Sequence, residues 1–370
     1  MNGAQVLVEQ LVSEGVDTVF ALPGVQIMGI FDALYDARER IRLVQARHEQ
    51  ATTYMAYGYA RATGRVGVAI VVPGPGALNA AAGLGTAYAA SAPVLLISGQ
   101  TSSGALGKDQ GQLHEVNDQL DVFRPITKWN YRVKTAQEIP EVVHEAMQQL
   151  QTGRPRPVEL EFPPDLLAGE SKIQDFEPTE HSPAAGSESK LRAAAQLLAD
   201  ARHPVVIAGG GAVISGASKE LLGLATFIQA PVMTTQQGKG IIPEEHDLSI
   251  GVNYAMVGPA REVVPECDVI LAVGTRFLFR DLTIREDQKV IQIDVDPRVL
   301  GRNYPAEMAI EADARQALAQ LIGHLQARTS PASGRAESIA AYKTAFQEKL
   351  QQLAPEQVKI IRTLRECLAD

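Results

Sequence analysis

A carboxylate and two glycine-bearing turns are the residues best suited to do chemistry together. Glu49 lies in Gln45-Ala46-Arg47-His48-Glu49-Gln50, and the turns are Pro23-Gly24 and Pro73-Gly74-Pro75-Gly76. Glycine has no Cβ, so backbone at such turns can approach a flat ligand closely. A carboxyl set among apolar walls has its pKa raised and can exchange a proton near neutrality. The three segments together describe a slot for a planar heteroaromatic ring, with Glu49 as its proton-exchange partner. A second reading of Glu49 is purely local, since an acid in a helix's first turn gains about 0.3–1 kcal/mol from the helix dipole.

The elements that must position these residues follow from the periodicity around them. Ile41-Arg42-Leu43-Val44 reads as a strand with Ile41, Leu43 and Val44 as its apolar positions. After Glu49 come Ala51, Ala56, Gly58, Ala60 and Ala62, interleaved with Tyr54, Met55, Tyr57 and Tyr59. That composition predicts a tightly packed helix ending at Gly64, where a left-handed cap costs least. Strands are predicted at 17–22, 66–72, 93–98 and 157–162, and helices at 4–14, 28–35, 77–90 and 138–150. Alternation at this pitch gives parallel βαβ units, whose post-strand loops gather at one edge of the sheet. Pro23-Gly24, His48-Glu49 and Pro73 to Gly76 should therefore converge.

Composition narrows the class. The 370 residues are 45% hydrophobic and 21% charged, a soluble globular chain of two or three domains. A net charge of −9 with no basic block argues against nucleic acid as a partner. Cys267 and Cys367 are too few for a disulfide framework, so a reducing cytoplasm is the expected setting. The N-terminus lacks the basic start and apolar run of a signal peptide. Residues 66–107 carry no charge, yet Pro73, Pro75, Asn79 and several glycines interrupt them before an apolar span of about 20 residues can form. No membrane is expected; a buried sheet and helix, with part of a subunit contact, accounts for the stretch.

At this point the sequence resembles the thiamine diphosphate-dependent enzymes of the acetolactate synthase group. The matching pieces are Leu22-Pro23-Gly24, Arg47-His48-Glu49-Gln50-Ala51, Gly74-Pro75-Gly76-Ala77-Leu78-Asn79, Pro93 to Gly99 and Thr127-Lys128-Trp129-Asn130. The likeness runs in order across nearly the whole chain. It implies two parallel-sheet, three-layer α/β domains: a pyrimidine-binding domain over 1–165 and, after a Ser/Pro/Glu-rich linker at 166–188, a Rossmann-like central domain over 189–328. Residues 329–370 would be connecting helices, the second with a stripe of Val358, Ile361, Leu364 and Leu368.

The resemblance also implies roles. Glu49 would hydrogen-bond N1′ of the cofactor's aminopyrimidine and favour the imino tautomer that deprotonates thiazolium C2, with Pro23, Gly24, Gly74, Gly76 and Asn79 around the ring. The substrate would be a 2-oxo acid, decarboxylated and transferred to a second 2-oxo acid, as in branched-chain amino acid biosynthesis. Burial of Glu49 is a requirement of that chemistry, because an exposed glutamate with a pKa of about 4.3 holds its proton too rarely. Two departures bear on the product. Leu113-His114 stands where acetolactate-forming members carry Phe-Gln, and His114 is either a proton relay, as in 2-oxo acid decarboxylases, or a surface histidine. Pro73 replaces the usual Ser or Thr.

In the central module Gly209-Gly210-Gly211 lacks the third glycine of a dinucleotide fingerprint, Ile214 occupying its place, so a tight turn before a helix explains it as well. The resemblance implies that this module either holds FAD, facing Gly209, Gly210, Gly211, Gly274, Arg276, Asp294 and Asp313, or keeps the fold without flavin. Relatives hold Mg²⁺ and the diphosphate through Gly-Asp-Gly and a later Asn, and Gly-Asp-Gly occurs nowhere in these 370 residues. The chain alone is therefore expected to bind thiamine diphosphate poorly and to turn over no 2-oxo acid. The complete enzyme should be a homodimer or homotetramer, with a regulatory small subunit as a further partner. A reading from another class is a non-catalytic module that holds a nucleotide in its second half.

Overall fold

A computed structural model describes residues 1–174, 176, 184–252, 258–277 and 284–368. The chain forms two compact units, Met1–His181 and Ser182–Asp370. Part of the Ser/Pro/Glu-rich linker lies outside the described residues.

The first unit carries strands β1 (Thr18–Ala21), β2 (Arg42–Gln45), β3 (Gly67–Val71), β4 (Val94–Gly99), β5 (Trp129–Arg132) and β6 (Val158–Phe162). Its helices are α1 (Gly3–Ser13), α2 (Met28–Asp36), α3 (Glu49–Thr63), α4 (Pro75–Ala90), α5 (Gln119–Phe123), α6 (Ile139–Gln151) and α7 (Pro164–Ala168). All strand pairs are parallel, in the order β2-β1-β3-β4-β6-β5. Alternation along β3 separates two cores. Val68 and Ile70 join α1, α2 and α6 through Leu7, Leu11, Ile30, Leu34 and Val143. Ala69 and Val71 face α3 and α4 through Ala56, Ala77, Ala80 and Leu84. A central strand buried on both faces is what a parallel sheet between helix layers requires.

Boundaries expected from periodicity fall within two residues of those observed for most first-unit elements. β2 behaves differently in side-chain placement: Ile41 is buried, but Leu43 is 38% exposed because β2 is an edge strand. The helix after Glu49 ends as expected, with Gly64 at φ +72° donating its amide to Ala60 O at 3.0 Å.

The second unit repeats the plan. Strands β7 (Pro204–Ala208), β8 (Val232–Thr234), β9 (Ser249–Val252), β10 (Val269–Val273), β11 (Lys289–Asp294) and β12 (Met308–Glu311) form a parallel sheet in the order β12-β11-β10-β7-β8-β9. Helices α8 (Glu188–Asp200), α9 (Gly210–Ile214), α10 (Ser218–Ile228), α11 (Ala260–Glu266) and α12 (Ala314–Gln326) accompany it. α13 (Arg335–Leu353) and α14 (Pro355–Cys367) follow, and Ile361, Leu364 and Leu368 of the expected stripe are exposed. Among the described residues no helix is long and apolar enough to cross a membrane.

Candidate functional site

The carboxyl edge of the first sheet gathers the three segments singled out by residue type. Ala46 donates its amide to Ala21 O at 3.0 Å, so Arg47, His48 and Glu49 emerge just past the end of β1, and Leu22 donates to Ile70 O of β3 at 3.2 Å. His48 is the N-cap of α3, its ring Nδ1 accepting the Gln50 amide at 3.2 Å, which makes Glu49 the first helical residue. Asn79, one turn into α4, donates from Nδ2 to Glu49 Oε2 at 3.0 Å. Glu49 Oε1 lies toward Gly76, where a Cβ would sit 3.5 Å from it. Oε1 accepts no hydrogen bond among the described residues, which leaves an acceptor for a ring nitrogen. The residues present therefore fit an aminopyrimidine. Glu49 is only half-buried, short of the burial expected from its sequence.

The glycines are there for close packing as much as for ligand approach. A Cβ on Gly24 would lie 2.2 Å from Val72 Cγ1 and one on Gly76 2.5 Å from Val72 Cγ2, so both turns close on one buried valine. Gly74 adopts φ +55° and ψ −116°, and a Cβ there would meet His114 O at 2.4 Å. Pro23 stands exposed at the first turn. His114 is thus brought to the slot by its backbone; it is half-buried at φ +66°, and its buried ring Nδ1 has no hydrogen-bond partner among the described residues.

Behind the third turn lies a cluster that composition did not flag. Glu159 and Glu161 of β6 are both fully buried. Glu159 Oε1 accepts from Ser98 Oγ at 2.7 Å; Glu161 Oε2 accepts from Gln100 Nε2 at 3.0 Å and from Arg132 Nε. Burial, with the Glu161 charge beside it, pushes the Glu159 carboxyl well above the usual range. Burial raises Glu161 as well, against the pull of Arg132 and Gln100. Val158-Glu159-Leu160-Glu161-Phe162 alternates like a strand with one wet face. That face is buried instead, with Ser98, Gln100 and Arg132 hydrogen-bonded to the two acids and Gln119 of α5 hydrogen-bonded to Ser98, and the signal available was an acid pair opposite Arg132 on a neighbouring strand.

In the second unit Gly209, Gly210 and Gly211 follow β7, Gly274 and Arg276 follow β10, Asp294 ends β11 and Asp313 follows β12, all at one sheet edge. Their contacts are largely internal. A Cβ on Gly209 would lie 2.3 Å from Gly274 O, and one on Gly211 2.7 Å from Gly274 Cα, so these glycines let two turns pack backbone to backbone. Asp294 Oδ1 accepts the Asp296 amide at 2.9 Å, and Asp313 caps α12 through the Gln316 amide at 3.0 Å. Asn303 Nδ2 donates to Arg276 O at 2.7 Å. Among the described residues no group of three or more His, Cys, Asp and Glu side chains could hold a metal ion.

Two parallel α/β units, the first with a half-buried acid among glycine turns at its sheet edge, define a class of ligand-binding α/β protein. The chain belongs to the thiamine pyrophosphate enzymes: the family's N-terminal TPP binding domain matches residues 1–122 and its central domain residues 191–321. A probable acetolactate synthase large subunit of Methanocaldococcus jannaschii is 40% identical over 337 residues, 88% of this chain and 56% of the relative. A probable 2-ketoarginine decarboxylase of Pseudomonas aeruginosa is 38% identical over 361 residues, covering 95% and 64%. Acetolactate synthase isozyme 3 large subunit of Escherichia coli is 36% identical over 340 residues, covering 87% and 57%. The chain spans between 55% and 66% of the length of the curated relatives it matches.

Proposed function

We propose that the first unit supplies the aminopyrimidine slot of a thiamine diphosphate-dependent 2-oxo acid carboligase that condenses pyruvate with a second 2-oxo acid. The observation that carries this is Glu49, the first residue of α3, held by Asn79 at 3.0 Å and standing beside Gly76 where the turns after β1, β2 and β3 meet. Glu49 holds or releases the proton at ring nitrogen N1′, Asn79 orients its carboxylate, and the Gly24 and Gly76 turns, closed on Val72, form the wall. Bound thiamine diphosphate supplies the electron sink for decarboxylation. None of the Mg²⁺ ligands is assigned to the described residues. Acetolactate synthase names among the relatives favour carboligation.

A second reading, simple 2-oxo acid decarboxylation, has its own support: the buried Nδ1 of His114 near Gly74, without a partner among the described residues, and a relative named a decarboxylase. The two separate by product. The enzyme assembled from the complete coding sequence, given pyruvate, thiamine diphosphate and Mg²⁺, is expected to form acetolactate; acetaldehyde with no acetolactate would overturn the carboligase reading.

Assembly and flavin complete the proposal. Tyr54 and Leu78 are 40% and 47% exposed on α3 and α4, the helices that carry Glu49 and Asn79, which suits a homodimer or homotetramer in which a second subunit closes the slot. The words large subunit in the relatives' names support a regulatory small subunit as partner. For FAD in the second unit, Arg276 and Asp294 at the carboxyl edge are the supporting residues, although Gly209, Gly211 and Gly274 have a packing role of their own.

A further inference from the structure

A buried polar chain runs from the third turn of the slot into the sheet. Gln119, the first residue of α5, is buried and accepts the Gly74 N–H on Oε1 at 2.8 Å. Its Nε2 donates to Ser98 Oγ at 3.0 Å and to Gly99 O at 3.2 Å. Ser98 in turn donates its hydroxyl proton to Glu159 Oε1 at 2.7 Å. Each group is used in the direction its chemistry allows, and the chain ends on a carboxyl with no solvent contact.

The residue at the head of this chain is the one whose backbone most needs holding. Gly74 is the N-cap of α4, so its N–H lies outside the helix's own ladder, and its φ of +55° belongs to a region that few residues adopt. The same loop braces the turn from a second side, His114 O sitting where a Gly74 Cβ would be. A third tie, Gln26 Nε2 to Leu113 O at 3.0 Å, joins the loop to the segment following the first turn.

We propose that Gln119 is a positioning residue: seated through Ser98 on the buried Glu159 carboxyl, it holds the Gly74 turn and so fixes the wall that Gly76 presents to Glu49. Its link to cofactor binding rests on the thiamine diphosphate reading; the hold on Gly74 does not. A neutral Glu159 is what this arrangement uses, because a carbonyl oxygen suffices to accept from Ser98. Glutamine supplies the same oxygen.

The experiment is hydrogen exchange at the Gly74 amide of the full chain, followed by NMR with glycine-selective labelling. Gln119→Leu fills the same space and leaves the N–H unpaired, so its exchange should accelerate about tenfold with other glycine amides little changed. Glu159→Gln should keep the protection and Glu159→Ala should lose it. If Gln119→Leu fails to fold, Ser98→Ala serves instead, with faster exchange at Gly74 expected. Unchanged protection in the folded variant overturns the proposal, as does equal loss in both Glu159 variants. In the complete enzyme Gln119→Leu should raise the thiamine diphosphate KM about tenfold while kcat at saturating cofactor holds. A loosened Gly74 with unchanged KM would overturn the link to the slot. A wild-type enzyme that ignores the cofactor would overturn the proposed function and leave the exchange result standing.

Discussion

Glu49 and Glu159 are acids of one sheet, the first past its carboxyl edge and the second within strand β6, and their surroundings give them opposite tasks. Glu49 is half-buried and hydrogen-bonded by Asn79; Glu159 is sealed, with Ser98 on one oxygen; among the described residues Glu49 Oε1 and Glu159 Oε2 have no partner. Glu159 makes a prediction about stability. Its folded pKa lies well above the ordinary value of 4.5, so the folded protein binds more proton than the unfolded chain as pH rises past that value. Its contribution is intact below the unfolded pKa and is lost as pH climbs toward the folded one. Glu161 and Arg132 are the charged groups that act on it, and Asp118 acts on those two. Glu159→Gln cannot ionise, so thermal melts from acid to neutral pH should show a flatter decline than wild type; parallel curves would place Glu159 ionised in the fold. Glu49 was legible in the sequence because strand end, helix start and glycine turns all pointed to one spot. The acid pair was not, since a V-E-L-E-F alternation gives no sign that its polar face will be buried.

At the scale of elements, α3 and α4 are small-residue helices because they pack at backbone distance. A Cβ on Gly83 would lie 2.3 Å from Thr53 Oγ1, and that hydroxyl donates across the helix pair to Ala80 O at 2.8 Å. Gly83→Ala should therefore part the helices and break this bond, lowering stability by about 1–3 kcal/mol despite alanine's better helix propensity. A lower thermal midpoint checks it; an unchanged or raised midpoint would mean the helices give way freely. The long, strongly patterned elements were legible, including the Gly64 stop. β5, β9 and β12 were not assigned from sequence. All three are four-residue strands at sheet edges, defined by pairing rather than by their own residues.

For the molecule as a whole, two units with the same architecture carry different kinds of evidence for their ligands. In the first, Gly24 and Gly76 close on Val72 and Gly76 leaves room beside a carboxylate whose Oε1 accepts no hydrogen bond among the described residues; in the second, Gly209, Gly211 and Gly274 crowd one another. If the second unit holds FAD, denaturing the purified protein should release flavin in equal amount to the chain. Protein of full thiamine diphosphate-dependent activity with no flavin would assign the second unit to the flavin-free form of the fold. The most direct test of the central claim concerns Glu49 itself. In the complete enzyme, the rate at which the C2 proton of bound thiamine diphosphate exchanges with solvent deuterium should fall about 10²- to 10⁴-fold in Glu49→Gln, with the cofactor still bound. Exchange at the wild-type rate in that variant would contradict Glu49 as the proton-exchange partner and return it to the role of a helix-start acid.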